Sequence, residues 1–118
     1  MKFMFMIYHE ENVLEALPEM EMQTLIDSAL DYDDEIRRSG HYIVSNALQP
    51  SRTARTIRVR GGTISTTDGP FAETTEQLGG FFLIEAKDID EACAVASRFP
   101  PARIAIIEVR PVQELTHS

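Results

Sequence analysis

Residues 67–86 read TDGPFAETTEQLGGFFLIEA, a sharp turn followed by a segment that is apolar on both faces. In an extended strand, alternate side chains point to opposite faces of the sheet. Phe81 and Leu83 then lie on one face, and Phe82 and Ile84 lie on the other. An antiparallel sheet with one wet face would instead alternate apolar and polar residues. The stretch therefore predicts a strand that is covered on both sides.

The segments around this strand predict an α+β fold. Strands are predicted at residues 2–8, 42–48, 55–60, 63–67, 80–86 and 103–110, and helices at residues 19–39 and 88–99. Gly61 and Gly62 are typical of a two-residue hairpin turn. The order is that of a ferredoxin-like βαββαβ subunit, in which two helices pack on one face of an antiparallel sheet.

Two helical stripes provide the apolar surface that would cover one side of the sheet. The first groups residues spaced three or four apart, as a helix requires; its members are Met22, Leu25, Ile26, Ala29 and Ile36. The second follows the predicted N-cap Asp88 and consists of Ile89, Ala92, Cys93, Ala96 and Phe99. It predicts that Cys93 is a buried, unreactive thiol. Asp33 falls within the first stripe; we expect it at the stripe's edge, with an ion pair or a cavity as the alternatives.

The opposite face of the sheet has no cover within the chain. Whichever face the helices occupy, about six to eight large apolar side chains remain, each worth roughly 1.5–3 kcal/mol if buried. Their sum is comparable to the whole stability of a domain, about 5–15 kcal/mol. We therefore expect a homodimer that packs sheet against sheet, and a monomer with a large apolar groove is the alternative.

Composition limits the partners. The chain has 118 residues and a net charge of −8, which argues against nucleic acid or an anionic membrane as the main partner. We expect one domain at residues 1–112 and a flexible tail at residues 113–118. No signal peptide is predicted, and one cysteine makes the cytoplasm the default location. No cofactor or metal motif is present in the sequence, so neither is expected.

The turn Asp68–Phe71 is the sharpest candidate site. Its glycine and proline restrict the backbone, and Asp68 either accepts hydrogen bonds from the backbone just after it or serves as an acid or base in a pocket. Glu73 follows closely and could form a carboxylate pair with Asp68. The alternative for Glu73 and Glu76 is an exposed position at one helical turn that starts near Thr74 and ends at Gly79.

Other polar side chains are weaker candidates. Tyr8 ends the first strand and could present its hydroxyl to a pocket, or it could be a core tyrosine. Arg58 belongs to a cluster with Arg52, Arg55 and Arg60, which could bind an anion or could protect an edge strand. His9 and His41 are expected at the surface because they flank Glu10 and Gly40, and neither has a second ligand at metal-like spacing.

The motifs TDGPFAET, EQLGGFFLIEA and IEVRP resemble the DGPF branch of the YCII-related family. The resemblance extends to about residue 112 and implies a dimeric α+β barrel, in which ferredoxin-like subunits pack sheet to sheet. Better-understood YCII-type relatives pair a histidine of the first helix with an acidic residue in a pocket. This sequence has no histidine between Glu10 and Gly40. Thr75 also replaces the lysine that is common in the branch.

Two functional hypotheses follow. The first is a small-molecule binding or regulatory module with a pocket near the turn, formed by Tyr8, Asp68, Glu73 and Arg58. The second is an enzyme that performs carboxylate acid–base chemistry on a small, perhaps aromatic, substrate, with Asp68 as base or orienting group and Glu73 as its proton-sharing partner. The missing helical histidine favours the first.

Overall fold

The computed structural model describes residues 1–117 and has the predicted α+β architecture. Its elements are β1 (Lys2–Glu10), α1 (Glu11–Glu15), α2 (Glu19–Arg38), β2 (Tyr42–Ala47), β3 (Arg55–Arg60), β4 (Thr63–Asp68), β5 (Glu76–Glu85), α3 (Ile89–Ser97) and β6 (Ile106–Pro111). Four strands form an antiparallel sheet in the order β2-β5-β1-β6, and β3 and β4 form a separate hairpin. This strand order is compatible with a ferredoxin-like subunit.

Local hydrogen bonds confirm the predicted C-terminus of α2 and the predicted N-terminus of α3. Gly40 follows α2 with φ of +82°, where a glycine is favoured because it has no Cβ. The N–H of His41 then donates to the carbonyl of Ile36 at 3.0 Å. At the start of α3, the carboxylate of Asp88 accepts the N–H of Glu91 at 2.8 Å. The end of α2 and the start of α3 therefore lie where the sequence places a capping residue, whereas α2 begins after Pro18 without a side-chain cap and α3 ends at Ser97, two residues earlier than predicted.

An aromatic cluster forms the core between the helices and the sheet. Phe5 and Phe82 stack with ring centroids 4.6 Å apart, and Phe99 packs against both rings. Tyr32, which the predicted stripe of α2 omitted, is 2% exposed and meets Phe82 edge-on. Its hydroxyl donates to the carbonyl of Val95 at 2.6 Å, which satisfies the polar tip inside the core. Burial raises the pKa of Tyr32, so the hydroxyl stays neutral.

The predicted burial of Cys93 is wrong. Cys93 is exposed, and α3 instead buries Ala92, Val95 and Ala96. With Phe99, these residues follow the spacing of three and four that defines one helical face. Cys93 comes one residue after Ala92 and is therefore rotated by about 100° away from that face.

The segment after the turn also differs from the prediction. The expected helical turn near Thr74 is absent from the described residues, and β5 begins at Glu76, four residues earlier than predicted. The side-chain amide of Gln77 donates to the carbonyls of Ala72 and Thr74, at 3.0 and 3.2 Å. Pairing with β1 holds Glu76 and Gln77 in the sheet, so long-range pairing overrides the local capping pattern.

The face of the sheet away from α2 and α3 carries apolar side chains and is called the open face below. Met4 lies opposite Leu83, and Met6 lies opposite Phe81, so these pairs share one face. The apolar members of the open face are Met4, Met6, Tyr8, Val44, Leu78, Phe81, Leu83 and Ile106. Within the described chain no helix covers them, because the elements packed on the core lie on the other side.

The molecule is a thin plate. Its extents are 50 × 48 × 18 Å, and its radius of gyration is 16.5 Å. A compact chain of this length would have a radius of gyration of roughly 13–14 Å. The thickness corresponds to one layer of helices on one sheet, with the β3–β4 hairpin extending from it. Every residue of β4 is exposed, as are Ile57 and Val59 of β3.

Division of the chain into a domain at residues 1–112 and a flexible tail stays a prediction. The N–H of Val112 donates to the carbonyl of Lys2 at 2.9 Å, directly after β6. Of the predicted tail, Ser118 lies outside the described residues.

Candidate functional site

The turn Asp68–Phe71 borders a cavity of about 650 Å³, called the DGPF cavity below. Gly69 has φ of +96°, a value that side chains other than glycine rarely adopt. Its N–H donates to the carbonyl of Ala54 at 2.7 Å, and the hydroxyl of Thr56 donates to its carbonyl at 2.9 Å. These two hydrogen bonds attach the turn to the base of the hairpin. The charged residues that line the cavity are Glu10, Glu11, Arg52, Asp68 and Glu73.

Glu11 connects two distant segments at the cavity wall. Its carboxylate accepts the N–H of Ser51 at 2.6 Å and also accepts the hydroxyl of Ser51. Next to it, Arg52 donates to Glu15 at 2.8 Å. The hydrogen bonds from Ser51 lower the pKa of Glu11 below its ordinary value, because they favour the charged carboxylate. The short α1 and the turn at residues 51–53 are thereby joined across the cavity.

We expect Glu11→Gln to destabilise the fold by about 0.5–1 kcal/mol at pH 7, after allowance for solvent screening. The pKa of Glu11 is depressed in the folded state, so its stabilisation is present above the ordinary pKa of 4.5 and disappears as the pH falls through the lower, folded-state value. Urea unfolding of both proteins at pH 7 and pH 3 measures this. An equal difference at both pH values would show that the charge of Glu11 is not the cause.

The cavity brings together two of the predicted site residues. Asp68 and Glu73 both line it, and both are exposed. The side chain of Asp68 is 91% exposed, and its carboxylate forms an ion pair with the Nε atom of Arg55 at 3.6 Å, directly across the hairpin. No hydrogen bond from the following backbone to Asp68 is found in the described residues, so the local role expected for this carboxylate is not seen.

Two other predicted site residues lie elsewhere. Tyr8 is on the open face, where its hydroxyl is 3.9 Å from the sulfur atom of Met6. Arg58 is on β3, opposite Ser65, and does not line the DGPF cavity. A ligand in this cavity would therefore meet Asp68 and Glu73 but neither Tyr8 nor Arg58 of the same chain.

A second cavity, of about 430 Å³, lies between α2 and the sheet and is called the apolar cavity below. Most of its walls are hydrophobic, but His9 and Asp33 also line it. His9 is partly buried, although its place beside charged residues predicted a surface histidine. The sequence gives no signal for this position, because it depends on the space beside Gly79 in the neighbouring strand, where a Cβ would lie 2.0 Å from the Cε1 atom of His9. Asp33 lines this cavity, which is one of the two alternatives to a position at the edge of the stripe.

His41, also expected at the surface, joins the two helices. Its Nε2 atom lies 3.1 Å from the carboxylate of Glu91, and its Nδ1 atom lies 2.7 Å from the hydroxyl of Ser39. The side chain is 20% exposed. It connects the end of α2 to the start of α3, on the helix side of the sheet.

Within residues 1–117, no group of three or more His, Cys, Asp or Glu side chains has the geometry of a metal site. No helix of this described part is long and apolar enough to cross a bilayer.

Comparison with known proteins gives two matches that span nearly the whole chain. The profile of the YCII-related domain matches residues 1–116. An uncharacterised protein of Rhizobium meliloti (strain 1021) is 32% identical over 114 residues, which cover 95% of this chain and 92% of that protein. The match is to the YCII-related domain as a whole, and assignment to the DGPF branch stays a prediction.

Proposed function

Since the chain belongs to the YCII-related domain family, we propose that it is a small-molecule-binding protein that works as a homodimer, with its recognition site in the DGPF cavity. The family match and the uncharacterised relative identify no reaction. The observation that carries the proposal is the position of Asp68 and Glu73, which line one cavity of about 650 Å³ at the base of the hairpin. That volume lies within the range of about 300–1,000 Å³ that is common for ligand sites.

The open face supports the homodimer. Ile106 is 57% exposed and Val44 is 39% exposed, on strands at opposite edges of the sheet. Between them lie the half-buried pairs Met6 with Phe81 and Met4 with Leu83. Covering large apolar side chains contributes roughly 1.5–3 kcal/mol each when burial is complete. A second copy can supply a surface of the same shape and chemistry across a twofold axis.

The hairpin supports the same assembly. Val59 lies opposite Ile64, and Ile57 lies opposite Thr66, so one face of the hairpin carries three apolar side chains that are 56–70% exposed. A two-stranded hairpin by itself is only marginally stable in water. Its other face carries Arg58 and Arg60, whose charge is opposite to the net charge of −8 of the chain. We propose that the hairpin extends onto the partner and that this contact orders the wall of the DGPF cavity.

The cavity's charges indicate the kind of ligand. Four carboxylates and the guanidinium group of Arg52 line it. Carboxylates only accept hydrogen bonds, so the site favours a polar ligand with several N–H or O–H donors or with a positive charge. The hydrogen bonds between Glu11 and Ser51 hold its wall in place without help from a ligand.

An enzyme that uses Asp68 and Glu73 as an acid–base pair is the second candidate. Two carboxyl groups that line one cavity favour it, because carboxyl groups are common general acids and bases. Against it, both side chains are exposed, and no histidine among the described residues lines the DGPF cavity. Binding without catalysis is therefore the better-supported function.

A thermal-shift screen with amines, polyamines and small polyhydroxylated molecules tests the proposal. A binder should raise the Tm of the native protein and of a control, Asp31→Asn, in which an exposed carboxylate on α2 is changed. The shift should vanish in Asp68→Asn, whose own Tm should stay close to that of the native protein. The reason is that Asp68 makes only an exposed contact with Arg55, worth less than about 1 kcal/mol.

Two outcomes would contradict this function. If Asp68→Asn lowers the Tm strongly and no molecule of the panel stabilises the native protein, then Asp68 is a structural residue of the turn. If a ligand stabilises the native protein and Asp68→Asn equally, the ligand binds at another site.

A further inference from the structure

The N-terminal half of α2 stands away from the sheet and leaves the apolar cavity beneath it. Farther along the helix, Tyr32 and Ile36 are 2% and 0% exposed and pack directly on the core. Toward the N-terminus, Met22, Leu25 and Ala29 are only partly buried, and all three line the cavity. The same helix is therefore tightly packed at one end and incompletely packed at the other.

The remaining walls come from the sheet and from the segment after α3. Ile7 and Phe82 contribute from the two central strands, and Phe99 and Ile104 contribute from the other side. Phe82 and Phe99 belong to the aromatic cluster of the core, with ring centroids 5.4 Å apart. A flat, ring-bearing molecule in the cavity would extend this cluster, because aromatic rings favour offset or edge-on contacts with other rings.

Two titratable residues line this hydrophobic space, which the polar residues Ser45 and Asn46 of β2 also line. His9 comes from the end of β1, and Asp33 comes from the middle of α2. In the described part of the chain, the side chains of His9 and Asp33 make no hydrogen bond and no ion pair. Both groups are therefore free to pair with a ligand.

The position of the His9 ring is built into the sheet. The register between β1 and β5 shifts after Ile7, and Gly79 lies at this irregularity. An added Cβ at Gly79 would lie 2.0 Å from the Cε1 atom and 2.4 Å from the Nδ1 atom of His9. The ring thus occupies the space that any other residue at position 79 would fill.

We propose that the apolar cavity is a second binding site, separate from the DGPF cavity. Its ligand is an apolar molecule with an aromatic ring and one hydroxyl or amino group. The carboxylate of Asp33 accepts the hydrogen bond from the ligand, and the imidazole of His9 can accept or donate a second one. A volume of about 430 Å³ suits a small molecule of this kind.

The negative charge around Asp33 disfavours anionic ligands. Asp31, Asp34 and Glu35 are neighbours on the same helix, and Arg37 is the cation closest to Asp33 in sequence. Burial raises the pKa of Asp33, while Arg37 opposes that rise. A carboxylate ligand would place a second negative charge beside Asp33 in a poorly solvated space, which is unfavourable.

Four molecules with the same ring system separate the effects of the ring, the hydrogen-bonding group and the ligand charge on affinity. They are 2-naphthol, 2-aminonaphthalene, naphthalene and 2-naphthoate. Titration at pH 7 should give affinities for 2-naphthol or 2-aminonaphthalene that are about tenfold higher than for naphthalene, as one hydrogen bond to a charged group predicts. The affinities for 2-naphthol and 2-aminonaphthalene, compared with each other, show whether a hydroxyl or an amino group is preferred. Binding of 2-naphthoate should be the weakest of the four.

Two variants locate the site. Asp33→Ala should remove the preference for 2-naphthol over naphthalene, and it keeps a good helix-forming residue at a partly exposed position. Ala29→Phe should fill the cavity and abolish binding of all four molecules. Its matched control, Ala94→Phe, adds the same ring at an exposed position on α3 and should bind normally. Folding of each variant is checked by its Tm.

The proposal fails if none of the four molecules binds, if naphthalene binds as tightly as 2-naphthol, or if folded Ala29→Phe binds like the native protein. The Asp68→Asn variant distinguishes the apolar cavity from the DGPF cavity, because it should leave 2-naphthol binding unchanged. Loss of 2-naphthol binding in Asp68→Asn would contradict the independence of the two cavities.

Discussion

Replacing Phe82 by alanine should destabilise the protein by about 3–5 kcal/mol, a large fraction of the stability of an ordinary domain. Phe82 is 5% exposed, stacks on Phe5 and meets Tyr32 and Phe99 edge-on. Its removal loses the transfer free energy of the ring and enlarges the apolar cavity that the ring already lines. Neighbouring side chains cannot fill that space without leaving their own contacts.

Urea unfolding at a fixed protein concentration measures this effect, since unfolding of a dimer depends on concentration. Phe71→Ala is the matched control, because the Phe71 side chain is 80% exposed. It should change the free energy of unfolding by less than about 0.5 kcal/mol. A loss below about 1 kcal/mol in Phe82→Ala would contradict the aromatic core described above.

Phe81→Glu should weaken self-association at least a thousandfold. Phe81 lies opposite Met6 on one neighbouring strand and opposite Asn46 on the other, near the middle of the open face. In a twofold-symmetric dimer, each chain contributes one introduced carboxylate, so the substitution places two carboxylates between the sheets. Loss of a central aromatic contact costs about 2–4 kcal/mol, and burial of an unpaired charge adds several more. Sedimentation velocity over a dilution series measures the dissociation constant.

A pair of further variants separates association from folding. Phe81 is half-buried in the single chain, so its substitution also affects the monomer. Ile106→Lys changes a residue of the open face that is 57% exposed, and Ile89→Lys changes a residue of α3 that is 40% exposed. Only the first should weaken association. Equal association of both variants and the native protein would show that the sheet face is not the interface.

Local signals were sufficient to predict most of the fold. Gly40 and Asp88 mark helix boundaries through their own backbone hydrogen bonds, which depend on residues close in sequence. The apolar strands and the hairpin turn at Gly61 and Gly62 are likewise local. The short helix α1 was not predicted, because Glu11–Glu15 is too brief to show a helical period.

Errors arose where distant pairing decides the structure. The predicted stripe of α2 omits Tyr32, whose burial depends on an acceptor for its hydroxyl. That acceptor is the carbonyl of Val95, 63 residues away in sequence. The start of β5 was placed too late, because residues 76–79 have little strand propensity and are held by pairing with β1.

The candidate sites also divide into those that local sequence can predict and those that depend on long-range contacts. Asp68 and Glu73 could be associated because they are five residues apart in the sequence, and they line one cavity. Glu11 and Ser51 are 40 residues apart, and only the fold joins them. His9 and Asp33 also come from separate elements, so their shared cavity could not be predicted from sequence spacing.

The proposed assembly depends on whether two copies cover the open face, and the solution mass of the native protein tests this most directly. Sedimentation equilibrium at low micromolar concentration should give twice the mass of one chain, with little binding of a dye that reports exposed apolar surface. A mass of one chain at that concentration, with strong dye binding that Ile106→Lys reduces, would contradict the dimer and leave the open face in water.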